Sequence, residues 1–185
     1  LTSGERRILV TLPTGGGKTR VLGEIARAYL SRGLKVVLYT HRKILLEQLS
    51  RVLQEYGLGH GIRAAGYDED HARDFQVASI QTEHTRVSGG GSWHLHEAEL
   101  VLIDEAHCQK GGAARKLLDA HVQEGAACVG FTATPIGLAD LYDRLIVGGS
   151  VSALRACGAL VPCEHYGPDE PDLKHIGSMP IGYDL

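Results

Sequence analysis

The chain has 185 residues, 43% of them apolar and 22% charged, with a formal net charge of −3. That length and apolar fraction are enough for one domain with a substantial core, and no apolar run approaches the roughly 18 residues of a membrane span, so a soluble protein with no membrane partner is expected. The slight negative charge gives no general electrostatic argument for nucleic acid, so any such claim has to come from local motifs.

Four cysteines, Cys108, Cys128, Cys157 and Cys163, form no C-x-x-C pair, which suits a reducing, cytoplasmic protein. The opening Leu1 to Arg7 is no signal peptide, because the apolar stretch behind it is short and runs into glycines. Met179 is the only methionine, so the chain is expected to be a piece of a longer reading frame.

Residues 7 to 12, Arg-Ile-Leu-Val-Thr-Leu, form a β-branched run that meets Pro13 and three glycines, the pattern of a buried strand ending in a tight loop. A helix is expected over Lys18 to Arg32, with Val21, Leu22, Ile25, Ala28 and Tyr29 on one face and Gly33 as its cap. The alternation repeats with a strand at Lys35 to Thr40 and a helix at Arg42 to Tyr56, whose inner face is read as Leu45, Leu49, Val52 and Tyr56. Further strands are expected at Gln76 to Ile80, Glu99 to Asp104 and Ala126 to Thr132, and helices at Ala113 to Val122 and Leu138 to Val147. Strands alternating with helices predict an α/β fold with a doubly wound, mostly parallel sheet and right-handed crossovers. Residues 168 to 185 hold three of the six prolines and no clear period, so a linker is expected over 167–185.

Three segments carry chemistry. Thr14, Gly15, Gly16, Gly17, Lys18 and Thr19 stand between a strand and a helix, the setting of a phosphate-binding loop. Backbone N–H groups and the helix N-terminus would hold phosphate, Lys18 would place its charge on the β and γ oxygens, and Thr19 would ligate Mg²⁺. The general loop pattern wants glycine where this chain has Leu12, and a plain glycine turn explains the segment as well. Asp104-Glu105-Ala106-His107 follows the apolar run Leu100 to Ile103, so its carboxylates emerge at a strand's C-terminal end, where α/β ligand sites lie. Asp104 suits Mg²⁺ and Glu105 suits a proton acceptor for an attacking water, although two acids there also serve as helix caps. Thr132-Ala133-Thr134-Pro135 closes another apolar run, and its hydroxyls are within reach of the acidic loop or simply mark a strand-to-turn junction.

The order of G-K-T, D-E-A-H and T-A-T-P, each at a strand end, resembles the superfamily-two helicases. Residues 12 to 19 look like motif I of that family, with Pro-Thr-Gly where this chain has Pro13-Thr14-Gly15, so Leu12 is ordinary there. Residues 104 to 107 look like motif II and residues 132 to 134 like motif III. Tyr39-Thr40-His41-Arg42 with Gln48 looks like motif Ia, and Ser79-Ile80-Gln81-Thr82 like motif Ib.

The resemblance covers about residues 6 to 165 and implies a RecA-like P-loop domain over 1–166 that uses ATP and Mg²⁺. It implies catalytic roles for Lys18, Asp104 and Glu105, magnesium ligation by Thr19 and Asp104, and coupling by His107, Thr132 and Thr134. It also implies contact with a nucleic-acid backbone by Thr40, His41, Arg42, Gln81 and Thr82, for which hydroxyl and guanidinium groups are suited. Thr-Ala-Thr, Thr-His-Arg and the later Gly158-Ala159-Leu160-Val161-Pro162 look closest to the branch of restriction motor subunits, repair translocases and phage helicases, which favours DNA. An adenine-reading glutamine upstream and a second RecA-like domain with its arginine finger are not within these residues. The chain by itself is therefore expected to bind ATP weakly and to turn it over barely. A nucleotide-dependent switch without translocation, and the same motor on RNA, remain open.

His84, His94 and His96 lack a fourth ligand at a useful spacing for zinc. Trp93 is read as an anchor for its loop rather than a stacking platform, and Cys157 and Cys163 as ordinary small apolar residues.

Overall fold

A computed structural model describes residues 4–88, 91–108 and 111–161. The expected linker at 167–185 and Cys163 lie outside the described residues. Seven strands form one sheet: β1 (Arg7–Thr11), β2 (Val36–Thr40), β3 (Gly61–Arg63), β4 (Phe75–Ser79), β5 (Leu100–Ile103), β6 (Ala127–Thr132) and β7 (Arg144–Val147). Their order is β3-β4-β2-β5-β6-β1-β7, and every neighbouring pair is parallel. The helices are α1 (Lys18–Leu30), α2 (Lys43–Glu55), α3 (Ile80–Ser88), α4 (Gly112–Gln123) and α5 (Val151–Ala156), with a 3₁₀ turn at Ala106–Cys108.

Central strands read as unbroken apolar runs because both sheet faces are covered. Val36, Leu38, Leu100, Leu102, Val129 and Phe131 point to one side, against Leu22 and Ala26 of α1 and Leu46, Leu49 and Leu53 of α2. Val37, Tyr39, Val101, Ile103 and Cys128 point to the other, against Ile80 of α3 and Leu117 and Leu118 of α4. The period of two along each strand thus feeds two separate cores.

Several details differ from the sequence expectation. On α2 the buried residues are Leu46, Leu49, Ser50 and Leu53, whereas Leu45 and Val52 are half-buried and Tyr56 is exposed. Two overlapping stripes share Leu49, and packing selects the one that turns its leucines to the sheet. On α1, Leu22 and Ala26 go inward while Val21 and Ala28 face outward.

The helix expected over Leu138 to Val147 is instead a turn followed by edge strand β7. Leu138 and Leu141 are buried against the α4 side, so their helical spacing is satisfied by a turn. Asp143 then starts the strand: its carboxylate accepts from the N–H groups of Arg6 and Arg7, both at 2.9 Å, and its own N–H donates to Arg7 O at 2.8 Å. From there Ile8 to Thr11 pair in register with Arg144 to Val147.

β3 and α3 had no counterpart in the sequence reading. They are joined by a buried ion pair in which Arg63 Nε and Nη2 donate to Glu83 Oε2 and Oε1, each at 2.8 Å. Trp93 is buried beside them, with the Arg63 and Arg86 guanidinium groups 4.9 and 4.4 Å from its ring centre and its Nε1 donating to Glu69 at 3.0 Å. It is a loop anchor. Cys157, read as apolar filling, is exposed. None of the described helices is long and apolar enough to cross a membrane.

Candidate functional site

Three loops meet at the C-terminal edge of the sheet. Because β6 lies between β5 and β1, the end of β6 separates the loop after β1 from the loop after β5, and each of the three brings one motif. The loop after β1 is set by glycines in the left-handed region, Gly15 at φ 78° and Gly17 at φ 80°, conformations that glycine adopts without a Cβ clash. Gly16 N–H donates to Pro13 O at 2.9 Å, and Leu12 N–H to Thr132 O at 3.0 Å. Gly17 is the N-cap of α1 and has no side chain to occupy the first N–H groups of the helix, which leaves them the donors that anions use at such ends.

Lys18 Nζ crosses the gap and donates to Glu105 Oε1 at 2.8 Å. The other carboxylate oxygen, Oε2, lies 3.3 Å from His107 Nδ1, and the same ring nitrogen is 2.9 Å from Thr132 Oγ1. Thr132 Oγ1 in turn accepts from Thr134 N–H at 3.0 Å and lies 3.2 Å from Thr134 O. Lys18, Glu105, His107, Thr132 and Thr134 therefore form one continuous polar line across all three loops. Glu105 holds φ 49°, the only left-handed non-glycine among the described residues. Such a conformation costs on the order of 1–3 kcal/mol and persists where the surroundings hold it. It is followed not by an α-helix but by the 3₁₀ turn, closed by Cys108 N–H donating to Glu105 O at 2.9 Å. The strained turn aims Glu105 at Lys18 and His107.

Asp104 extends the sheet ladder through its N–H, which donates to Tyr39 O at 2.9 Å. Burial and the neighbouring Glu105 raise its carboxyl above the usual range, with Lys18 pulling the other way. A half-buried carboxylate crowded by a second one is stabilised by added positive charge. Thr19, half-buried in the first turn of α1, supplies a hydroxyl, so the available donors are oxygens, as a hard divalent cation requires.

An open cleft of about 460 Å³ runs from this line toward β2. It is lined by Thr14, His41, Arg42, Glu105, His107 and Thr134, with Ile44, Leu45, Cys108 and Ala133 completing its wall. Two of the residues singled out in the segment after β2 thus reach the same cleft as the acidic loop. Desolvation first, then Arg42 and His107, lower the His41 pKa, and its Nδ1 is buried with no hydrogen-bond partner among the described residues. Thr40 does not join them: it is fully buried, and its hydroxyl also lacks a partner. Direct contact of its side chain with a polymer is closed off, and the expectation for that residue is corrected.

Gln81 and Thr82 sit apart, in a surface groove with Ala65, Thr85 and Arg86. Thr82 Oγ1 accepts from Ala65 N–H at 3.3 Å, and Gln81 Oε1 from Ser79 Oγ at 3.2 Å. Thr85 and Arg86 join them because residues three and four apart on α3 share a face, a signal that apolar periodicity does not carry where the inner face holds Glu83.

The fold and this loop arrangement define the class: a RecA-like α/β domain with a phosphate-loop site at the C-terminal edge of its sheet. The model of the type III restriction enzyme res subunit matches residues 1–137, and the chain belongs to that family. A 51.5 kDa protein of a Lactococcus phage is 24% identical over 173 residues, which are 91% of this chain and 34% of that protein. The Saccharomyces cerevisiae protein IRC3, named for an ATP-dependent helicase, is 30% identical over 149 residues, 72% of this chain and 21% of that protein. The chain thus spans about a third and a fifth of the length of these curated relatives. The crystal structure of the UvsW helicase of bacteriophage T4 superposes with a TM-score of 0.63 at 17% identity, covering 77% of this chain and 54% of that one, a likeness of fold.

Proposed function

We propose that this chain is the ATP-binding motor domain of an ATP-dependent DNA helicase or translocase. In this reading residues 1–166 are the first RecA-like domain and 167–185 lead toward a second one. The observation that carries the proposal is the line from Lys18 through Glu105, His107 and Thr132 to Thr134, because it ties a phosphate loop to the loops that must respond to hydrolysis. Family membership implies ATP as the nucleotide.

Thr14, Gly15, Gly16, Gly17 and the first turn of α1 take the phosphates. Lys18 exchanges its carboxylate partner for β and γ oxygens, the point-charge role of a phosphate-loop lysine. Thr19 and Asp104 would hold Mg²⁺, whose charge would offset that of the phosphate oxygens. Glu105, released from Lys18, accepts a proton from the water that attacks the γ-phosphate, as the bond from the γ-phosphorus to the bridging oxygen breaks and ADP leaves with that oxygen. His107 loses a carboxylate neighbour at that moment but keeps Thr132, so Thr132 and Thr134 register the change at the end of β6. His41 and Arg42 meet the polymer backbone at the other end of the cleft, and Gln81 and Thr82 meet it on α3. The restriction-enzyme family favours DNA as that polymer.

The test is Glu105→Gln in the full-length protein. Hydrolysis should slow by roughly 10²–10⁴-fold, the usual contribution of a general base, while Mg²⁺-ATP stays bound; Lys18→Ala should abolish most of the binding. Wild-type turnover in Glu105→Gln would remove Glu105 from the chemistry. Stimulation by RNA rather than DNA would replace the polymer.

A further inference from the structure

The phosphate loop is touched from outside by the segment after β7, to which no site role has been assigned. β7 runs beside β1, and at its end Gly148 N–H donates to Thr11 O at 2.9 Å, where β1 gives way to the loop. Ser150 then caps α5, its hydroxyl accepting from Ala153 N–H at 3.1 Å. Gly158, at φ 75°, reverses the chain, and the N–H groups of Ala159 and Leu160 both close on Leu154 O, at 2.9 and 3.1 Å. This turn folds Leu160 back onto the loop. A Cβ on Gly15 would stand 2.9 Å from Leu160 Cδ2, and one on Gly16 3.1 Å from Leu154 Cδ1. Gly17, by contrast, has open space at that position.

A run of three glycines has more backbone freedom to lose than any other tripeptide, and this loop must hold two left-handed residues to present its N–H groups. Within the loop, Gly16 N–H to Pro13 O is one such restraint. Packing of two branched side chains against glycines that leave them room is another. We propose that Leu154 and Leu160 are positioning residues of the phosphate loop, holding Gly15 and Gly16 in the shape that receives nucleotide. The inference rests on the reading of that loop as the ATP site. A methyl group on Gly15 would displace Leu160, and one on Gly16 would meet the Pro13 carbonyl oxygen at 2.9 Å and crowd Leu154 at 3.1 Å. Because coupling between two events is reciprocal, nucleotide on the loop also tightens the turn at residues 158–160.

The experiment compares full-length wild type with Leu154→Ala, Leu160→Ala and the rescue variants Leu154→Met and Leu160→Met. The alanine variants should bind a non-hydrolysable ATP analogue with Mg²⁺ about tenfold more weakly and raise KM in the same proportion. Their kcat should stay within about twofold, because the acid line is untouched, and methionine should restore most of the affinity. In wild type, amide exchange at Ala159 and Leu160 should slow when the analogue is added. Wild-type affinity in both alanine variants, or a loss confined to kcat, overturns the inference and leaves the ATP site standing. If the variants fail to fold, exchange in wild type decides, and unchanged rates at residues 159 and 160 overturn it. A wild type that binds no nucleotide removes the functional reading as well.

Discussion

Two ion pairs in this domain have the same length and opposite settings. Lys18 and Glu105 meet at 2.8 Å with 12% and 26% of their side chains exposed, and Arg63 and Glu83 meet at 2.8 Å with 3% and 0% exposed. The first lies at the sheet edge, is made by one contact, and has an open cleft beside it. The second is bidentate, carries a further bond from Arg63 Nη2 to His94 O at 2.6 Å, and has Trp93 against its guanidinium. Coulomb attraction at equal distance is therefore not what separates them. The first pair can be exchanged for another anion at little cost, while the second cannot be opened without stranding a buried charge. One is a single contact beside the cleft, and the other joins β3 to α3.

The largest expected effect tests that difference directly. Glu83→Ala leaves the Arg63 guanidinium buried without its counterion, and breaking such a pair costs about 3–5 kcal/mol. Glu105→Ala removes a partner of Lys18 that water can replace, so its effect on stability should stay within about 1 kcal/mol. Urea denaturation of both variants measures the two numbers. Similar losses would mean that Lys18 and Glu105 form a structural pair and are not held ready for a ligand.

A second contrast concerns pH. On the α4 side of the sheet, His121 Nε2 and the Tyr39 hydroxyl share a hydrogen bond of 2.9 Å; burial raises the Tyr39 pKa well above its usual value, so the phenol stays neutral. Burial lowers the His121 pKa to about 4, with His96 and Arg63 adding repulsion. Burial likewise lowers His60 and His96. A histidine whose folded pKa lies below its unfolded value of about 6.5 binds its proton more readily in the unfolded chain. Its stabilising effect is complete above the unfolded pKa and is lost as pH falls through that value toward the folded one. Between pH 7 and pH 4, His121 should account for on the order of 3 kcal/mol of lost stability. Chemical denaturation across that range should show a slope that His121→Gln flattens, and an unchanged slope would place the acid sensitivity elsewhere.

The sequence made the nucleotide edge more legible than the rest because its residues are tied to strand ends. Apolar runs at Leu100 to Ile103 and Ala127 to Phe131 mark where β5 and β6 stop, and the residues that follow each run are then forced onto one edge of the sheet. Elements whose inner face is polar gave no such signal. α3 buries Ile80 and Glu83, so apolar periodicity cannot find it, and β3 is three residues long with Arg63 as an inward side chain. The helix expected at Leu138 to Val147 failed for the converse reason: Leu138, Leu141, Tyr142 and Leu145 have helical spacing, but pairing with β1 and the Asp143 contacts decide the outcome. The fully buried Thr40 was out of reach, since a threonine at the end of a strand looks the same whether it faces water or the core. Leu154 and Leu160 could not be linked to Gly15 and Gly16, because nothing local places residue 160 against residue 15.

The smallest expected effect separates strain from charge at Glu105. At φ 49° a side chain crowds its own backbone, whereas glycine adopts this region freely. Glu105→Ala and Glu105→Gly both remove the carboxylate and both free Lys18, so neither should hydrolyse ATP at an appreciable rate. They differ in whether a Cβ remains in the left-handed region. Relief of that strain, of order 1–3 kcal/mol, is opposed by the extra freedom of glycine in the unfolded chain, about 0.5–1 kcal/mol. The glycine variant should therefore be more stable than the alanine variant by about 1 kcal/mol, a shift of a few degrees in Tm for a domain of this size. Because both variants lack the carboxylate, that difference reports the backbone strain at residue 105 apart from the ion pair. An alanine variant equal to or more stable than the glycine variant would show that the turn after β5 carries no such strain, and that the aim of Glu105 toward Lys18 comes from the ion pair alone.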